Sequence, residues 1–206
     1  MKGNRTKILR NKVAQEAALL LYTSQEKEYK QAKQRAAQTL GVRVLPSNIE
    51  VAEELDRISE EREGKTRKTM LLRKRKQAFK IMQSLEMFSP RLVGSVWRGT
   101  ARKNSDIDVV SFSEDHNQVL TELKEHGFTI NSSEWRSVTK EGNKESSFHI
   151  SITLPFGDEA EVVVRSPECL EKTERCETYG DKKTGLNINQ LEKVLKENPL
   201  QKFVPL

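Results

Sequence analysis

LVGSVWRGTARKNSDIDVVSF, residues 92–112, joins a Gly-Ser pair at Gly94-Ser95 to an Asp-Ile-Asp triplet at 106–108. Val109, Val110 and Phe112 favour an extended chain, whose side chains alternate between two faces. Ile107 then points into a core, and Asp106 and Asp108 point out together from a rigid element. Carboxylates this close repel unless something cationic lies between them. Mg²⁺ suits such hard oxygen ligands and keeps waters and substrate phosphates in its shell. Upstream, Gly94 lets backbone approach a phosphate, Ser95 offers a hydroxyl and an N–H, and Arg98-Gly99 add a cation and a flexible turn. A short helix or turn over 95–102 would aim its first amides at the same anion.

An apolar residue, Gly-Ser, a gap of roughly ten residues and then Ser105-Asp106-Ile107-Asp108-Val109 resembles the signature of the DNA polymerase β-like nucleotidyltransferase superfamily, and its small, minimal members best. The resemblance covers about residues 91–165. It implies an α+β fold, a mixed sheet of the polymerase β palm type with flanking helices. It also implies two-metal transfer of a nucleoside monophosphate from a nucleoside triphosphate, with ATP the expected donor and Mg²⁺ or Mn²⁺ the cofactor. Asp106 and Asp108 would share the metals, and Gly94, Ser95, Arg98 and Ser105 would hold the nucleotide phosphates. The superfamily carries a third acid on a later strand, and AEVVVR at 160–165 is the place for it. Glu161 is the first choice and Glu159 the alternative, since both face the same way on an extended chain. Arg165 shares that face too, and either a site carboxylate or a phosphate suits it.

Composition bounds the remainder. The chain has 206 residues, a mean hydropathy of −0.71 and a net charge of +6, enough for one domain with an appended helical region or for two small domains. No apolar run reaches the roughly 20 residues that span a bilayer, and MKGNRTKILRNK lacks the apolar stretch of a signal peptide. Cys169 and Cys176, seven apart on an expected helix, read as reduced thiols. Together these predict a cytoplasmic protein with no membrane partner. Charge divides unevenly, +9 over residues 1–90 and −3 over residues 91–206.

Residues 1–89 read as a basic helical region and residues 90–206 as the nucleotidyltransferase domain with carboxy-terminal helices. The spacing predicts one long helix over 5–40, with Ile8, Tyr22, Tyr29 and Ala36 in a sevenfold register. A second opens at the Ser47–Glu50 capping box and ends at Gly64, and a third runs from Thr66 to about Met87. After the motif, Ser113 caps a helix to His126, and strands follow over 128–138 and 148–154. A Pro155–Asp158 turn leads to the strand of Glu161. Helices are expected from Pro167 through the cysteines and over 189–197.

Arg73-Lys74-Arg75-Lys76 covers a full helical turn and is the candidate nucleic-acid contact, tracking phosphates of an RNA or DNA acceptor. His116, His126 and His149 read as surface or packing residues, and Trp97 as packing or a base-stacking group. The whole chain also resembles small archaeal nucleotidyltransferases. Three functions stay open. They are transfer onto an RNA 3′ end, transfer onto a protein hydroxyl as in small members paired with a toxin-like partner, and a silent nucleic-acid-binding module. The intact Asp-x-Asp argues against the last, because a pure binding module has no use for repelling carboxylates. Oligomeric state is not readable from the sequence.

Overall fold

A computed structural model describes residues 2–140, 143–172 and 174–205. The chain forms two compact units, residues 1–67 with 175–181, and residues 68–174 with 182–206. The division falls inside a helix at 67/68, not at the expected 89/90. The reason is that Leu71, Ala78, Ile81, Met82 and Leu85 of that helix are core residues of the second unit.

The first unit holds α1 (Lys2–Tyr22), α2 (Tyr29–Thr39) and the start of α3 (Asn48–Ser84). The single helix expected over 5–40 is two. Ser24 takes a left-handed conformation (φ 57°), with its N–H on Leu21 O at 3.3 Å and the Gln25 N–H on Leu20 O at 3.0 Å. That is a Schellman stop with serine where glycine usually sits, so the sequence carries no glycine to mark it. Val13, Ala17, Leu21, Ala32, Ala36, Val51 and Leu55 build the core, whereas Ile8 of the expected seam is 50% exposed. α3 opens as expected, with Ser47 N–H on Glu50 Oε2 at 2.8 Å and Glu50 N–H on Ser47 Oγ at 3.2 Å. Gly64 leaves helical geometry at φ 50°, ψ −125°, dividing α3 where the sequence ends one helix and begins the next.

The second unit continues α3 and adds β1 (Arg91–Val93), α4 (Gly94–Arg98), β2 (Ile107–Phe112), α5 (His116–Glu125), β3 (Thr129–Lys140), β4 (Asn143–Thr153), β5 (Glu159–Arg165) and α6 (Ile188–Glu197). The five strands form one mixed sheet in the order β1-β2-β5-β4-β3, with β2 and β5 parallel and the other pairs antiparallel. This is the α+β mixed-sheet fold expected. One face of the sheet, with Ile107, Val109, Phe148, Ile150, Ile152, Ala160, Val162 and Val164, forms a core with α3, α5 and α6. The other carries half-buried Asp108, Val110, Glu161, Val163, Arg165, Ser147 and His149, the period of two expected of one covered and one open face.

Three local expectations differ. Asp115, not Ser113, caps α5 by accepting the Asn117 N–H at 2.9 Å, and Ser113 instead closes a turn on Asp115. β4 begins at Asn143, because serines and charged residues extend the hairpin through its own ladder. After Pro167 only a 3₁₀ turn forms (Pro167–Cys169), so the two cysteines, both free, share no helix. No helix among the described residues is long and apolar enough to cross a membrane.

Candidate active site

β1 and β2 flank α4, and the turn between β1 and α4 puts Gly94 against the strand that carries Asp108. Gly94 sits at φ 70°, and a Cβ there would lie 1.9 Å from Asp108 Oδ2. The glycine is required by the carboxylate beside it as well as by its backbone angle. On β2, Ile107 is buried, Asp108 half-buried and Asp106, just ahead of the strand, exposed, so the two acids share a side as the alternation predicts. β5 runs parallel with Asp108 opposite Glu161, which places the third candidate acid in the adjacent strand on the same face. Glu159 lies one repeat away, exposed, opposite Thr153 of β4.

The three acids act on one another. Burial first, then the charges of Asp106 and Glu161, push the Asp108 carboxyl up to about 7, with Lys183 pulling the other way. Glu161 is held from the hairpin: its Oε1 accepts Arg136 Nη1 at 2.7 Å and lies 3.1 Å from His149 Nδ1. His149 Nε2 in turn meets Ser147 Oγ at 2.9 Å. Among the described residues no group of three His, Cys, Asp or Glu side chains is already drawn together as a metal cage. Like charges without a cation keep apart, and Glu161 has taken a cationic partner instead. The donor set nevertheless fits a hard divalent cation. It is all carboxylate oxygen, it leaves Asp108 short of a counter-charge, and Gly94 leaves Asp108 the room a side chain would fill.

Asp108, Gly94, Glu161, Arg136, His149 and Lys183 all line one cavity of about 450 Å³ on the open face. Arg136, His149 and Lys183 are the members sequence reasoning missed. A cation in a hairpin strand and another in an irregular loop carry no spacing signal, and His149 reads as packing until the ladder sets it beside Glu161.

The other predicted site residues go elsewhere. Ser95 is half-buried in α4 and its hydroxyl bonds to no described residue. Ser105 Oγ accepts the Arg102 N–H at 3.1 Å, closing the turn that leads into Asp106. Arg98, expected on phosphate, is buried. Its guanidinium stacks 4.1 Å from the Trp97 ring and donates to Phe203 O at 2.7 Å. Trp97, 4% exposed, is packing. Arg165 meets Glu174 at 2.7 Å and Glu145 at 3.4 Å, neither of them a site acid.

The basic turn also corrects the expectation placed on it. Arg75 is fully buried and donates to the carbonyls of Val96, Trp97, Pro199 and Gln201 at 2.7–3.2 Å, and burial lowers its pKa to about 10. Lys74, 2% exposed, donates to Ser105 O at 2.5 Å and pairs with Asp158 at 3.0 Å. Arg73 binds both oxygens of Asp158, at 2.7 and 2.9 Å. These donors are taken by the protein itself, and only Lys76 of the four is exposed. A charge run covering a full turn must point partly inward, and the inward cations are satisfied by carbonyls and one buried acid.

Comparison with solved structures finds one described as a cytoplasmic RNA terminal U-transferase, 21% identical over 46% of this chain and 28% of that one, with a TM-score of 0.33. It also finds Cid1 in complex with the UTP analogue UMPNPP, 20% identical over 46% of this chain and 30% of that one, at the same TM-score. The chain thus covers less than a third of either. No curated protein matches it. The model of the nucleotidyltransferase domain matches residues 75–184, just over half of the chain and the stretch that holds every one of the acids above. The chain therefore belongs to the nucleotidyltransferase domain family of the polymerase β-like superfamily.

Proposed function

We propose that the protein moves a nucleoside monophosphate from a nucleoside triphosphate onto the 3′ hydroxyl of an RNA, with Asp106, Asp108 and Glu161 as ligands of divalent metal ions. Nucleotidyltransferases of this fold generally use such ions. The observation that carries the reading is a buried Asp108 carboxyl set between Asp106 and Glu161, raised first by burial and then by those charges to about 7, beside a glycine that gives it room. A fold gains nothing from like charges held together on rigid strands, and a site built for a cation does.

Bound Mg²⁺ or Mn²⁺ supplies charge neutralisation at the phosphates and a lowered pKa at the acceptor hydroxyl. The residues of the chain supply the rest. Asp108 is fixed by the β2 ladder, and the Gly94 turn keeps its carboxylate accessible. Ser95, with an uncommitted hydroxyl, is the phosphate contact of choice in α4. Lys183, whose charge already favours ionised Asp108, is placed in the same cavity to meet a phosphate oxygen. Arg136 and His149 hold Glu161 in a fixed rotamer until a cation competes for it.

RNA as acceptor is supported by the excess of positive charge in residues 1–90. A protein hydroxyl is the second reading, favoured by the removal of Arg73, Lys74 and Arg75 from the surface available to a nucleic acid. Incubating the protein with Mg²⁺ or Mn²⁺ and each α-labelled nucleoside triphosphate, with and without total RNA, separates them. Label on RNA that vanishes in Asp108→Asn supports the first reading and names the nucleotide. Label on protein supports the second, and none on either overturns both.

A further inference from the structure

On the covered side of the sheet, where α3 passes the start of β3 and the end of β4, lies a cleft of about 810 Å³, larger than the cavity at the acids. Phe128, Leu154 and Pro155 give it apolar walls, Gln77 and Lys80 line it from α3, and no carboxylate of the described residues lines it. Two features are unexplained by the fold. The Gln77 amide donates to Pro155 O at 3.0 Å, yet its Oε1 is buried with no donor among the described residues. An orphan acceptor of this kind destabilises the fold unless something brings it an N–H or O–H. The second is Phe156, next in the chain after Pro155, which is 82% exposed and held at φ 69°. A bulky residue rarely sits in the left-handed region, and a soluble surface has no need of a bare phenyl ring there. The Arg73 guanidinium lies 5.5 Å from that ring. Lys76 and Lys80 are exposed, and Arg73, Lys76, Gln77 and Lys80 follow one another at helical spacing along α3.

An apolar slot with a buried acceptor, a cation and a projecting aromatic ring is the combination that receives a base, a phosphate and the next base of a flexible strand. We propose that this cleft binds one nucleotide of a single-stranded RNA, with the base against Phe128 and Leu154 and beside the Gln77 amide. Its phosphate rests on Lys80, the neighbouring phosphate on Lys76, and the adjacent base stacks on Phe156. The choice of RNA rests on the acceptor proposed above. The site lies apart from the acids and binds without turnover.

The test is fluorescence anisotropy of a labelled single-stranded RNA of about 12 nucleotides with the full chain, Phe156→Gly, Lys80→Glu and Gln77→Ala. Phe156→Gly relieves the left-handed strain, so it folds at least as well as the parent and isolates the ring. It should bind about tenfold more weakly. Lys80→Glu should weaken binding further and make its salt dependence shallower by about one ion. Affinities of the three cleft variants all within about twofold of the parent overturn the proposal. So does cleft-dependent binding of a free nucleoside monophosphate with none of the oligonucleotide. A chain that labels RNA with these variants unaltered loses the cleft alone. One that binds RNA through the cleft and labels nothing loses the catalytic reading alone.

Discussion

Asp106 just ahead of β2, Asp108 on β2 and Glu161 on β5 act on one another, and burial together with the other two charges leaves Asp108 holding a proton up to about pH 7. On α3 three successive cations are matched to carbonyls of α4, of the loop before β2 and of the carboxy-terminal tail, and to Asp158. Both runs stand out in the sequence as dense charge. The difference lies in what the rest of the chain supplies to each. A carbonyl at a helix end is a free acceptor that any folded protein has in surplus, so a buried cation can always be satisfied from within. Carboxylates on a strand have no comparable supply of internal donors, and Glu161 draws its own from Arg136 in the neighbouring hairpin. Charge that the fold answers is architecture, and charge that it leaves unanswered is where a ligand acts.

The comparison breaks most directly at Asp108. Asp108→Asn should lower transfer by about 1000-fold or more and at the same time stabilise the protein, which is the opposite of what an architectural acid does. The raised pKa means that the folded chain holds this proton more tightly than the unfolded one. Its contribution is therefore full below pH about 4 and is lost as pH rises through about 7. The gain in the Asn variant should be roughly 2 kcal/mol at pH 8, after allowance for solvent screening, and should fade toward pH 4. Urea unfolding at the two pH values measures it. A variant that is less stable at pH 8 would place Asp108 among the answered charges.

Arg75 should behave in reverse. Arg75→Met takes a donor from four carbonyls, of which Val96 O keeps the Gly99 N–H, and the Gly99 turn, where a Cβ would lie 2.7 Å from Gln201 O, loses the group that fills it from α3. A loss of about 3–5 kcal/mol is expected, read from urea midpoints, with residual transfer activity in whatever fraction remains folded. Truncation after Asn198 removes two of those acceptors and should cost less than the substitution.

How much of this was legible follows the same line. The Gly-Ser and Asp-x-Asp spacing led to the sheet, to the shared face of Asp106 and Asp108 and to the strand of Glu161, because alternation and turn chemistry are local rules. The interior fate of Arg73–Arg75 and Arg98 was not legible. Their acceptors lie 21 to 126 positions away in the chain, and nothing about an arginine in a helix says that the tail will return to it. The stop at Ser24 was hidden for a local reason, since serine there adopts the backbone angle expected of glycine. Lys183 and His149 needed the register of β4 on β5 and the bridge of Leu92 to Leu186 before they could be set near Asp108.

Asp158 tests the answered side with pH. Burial would raise its pKa, but the hydrogen bonds from Arg73 and Lys74 outweigh burial and hold it below the usual carboxylate range. The sign is opposite to that of Asp108: the stabilisation is present above pH about 4 and is lost as pH falls through the lowered folded value. Asp158→Asn should cost about 2 kcal/mol at pH 7, and the variant should lose less stability than the parent on further acidification. An equal acid response in both would mean that Arg73 and Lys74 do not depend on this carboxylate.

Lys76 gives the smallest effect and the sharpest contrast, because it sits in the same basic turn with its side chain in solvent. Lys76→Ala should change stability by no more than about 0.5 kcal/mol, since it leaves no buried acceptor behind and removes no packing. The quantity to watch is the salt dependence of RNA binding, which should become shallower by about one ion if the residue meets a phosphate. A stability loss as large as that of Arg75→Met would show that position along the turn does not separate architecture from binding. A silent stability with a shallower salt slope would separate them within a single helical turn.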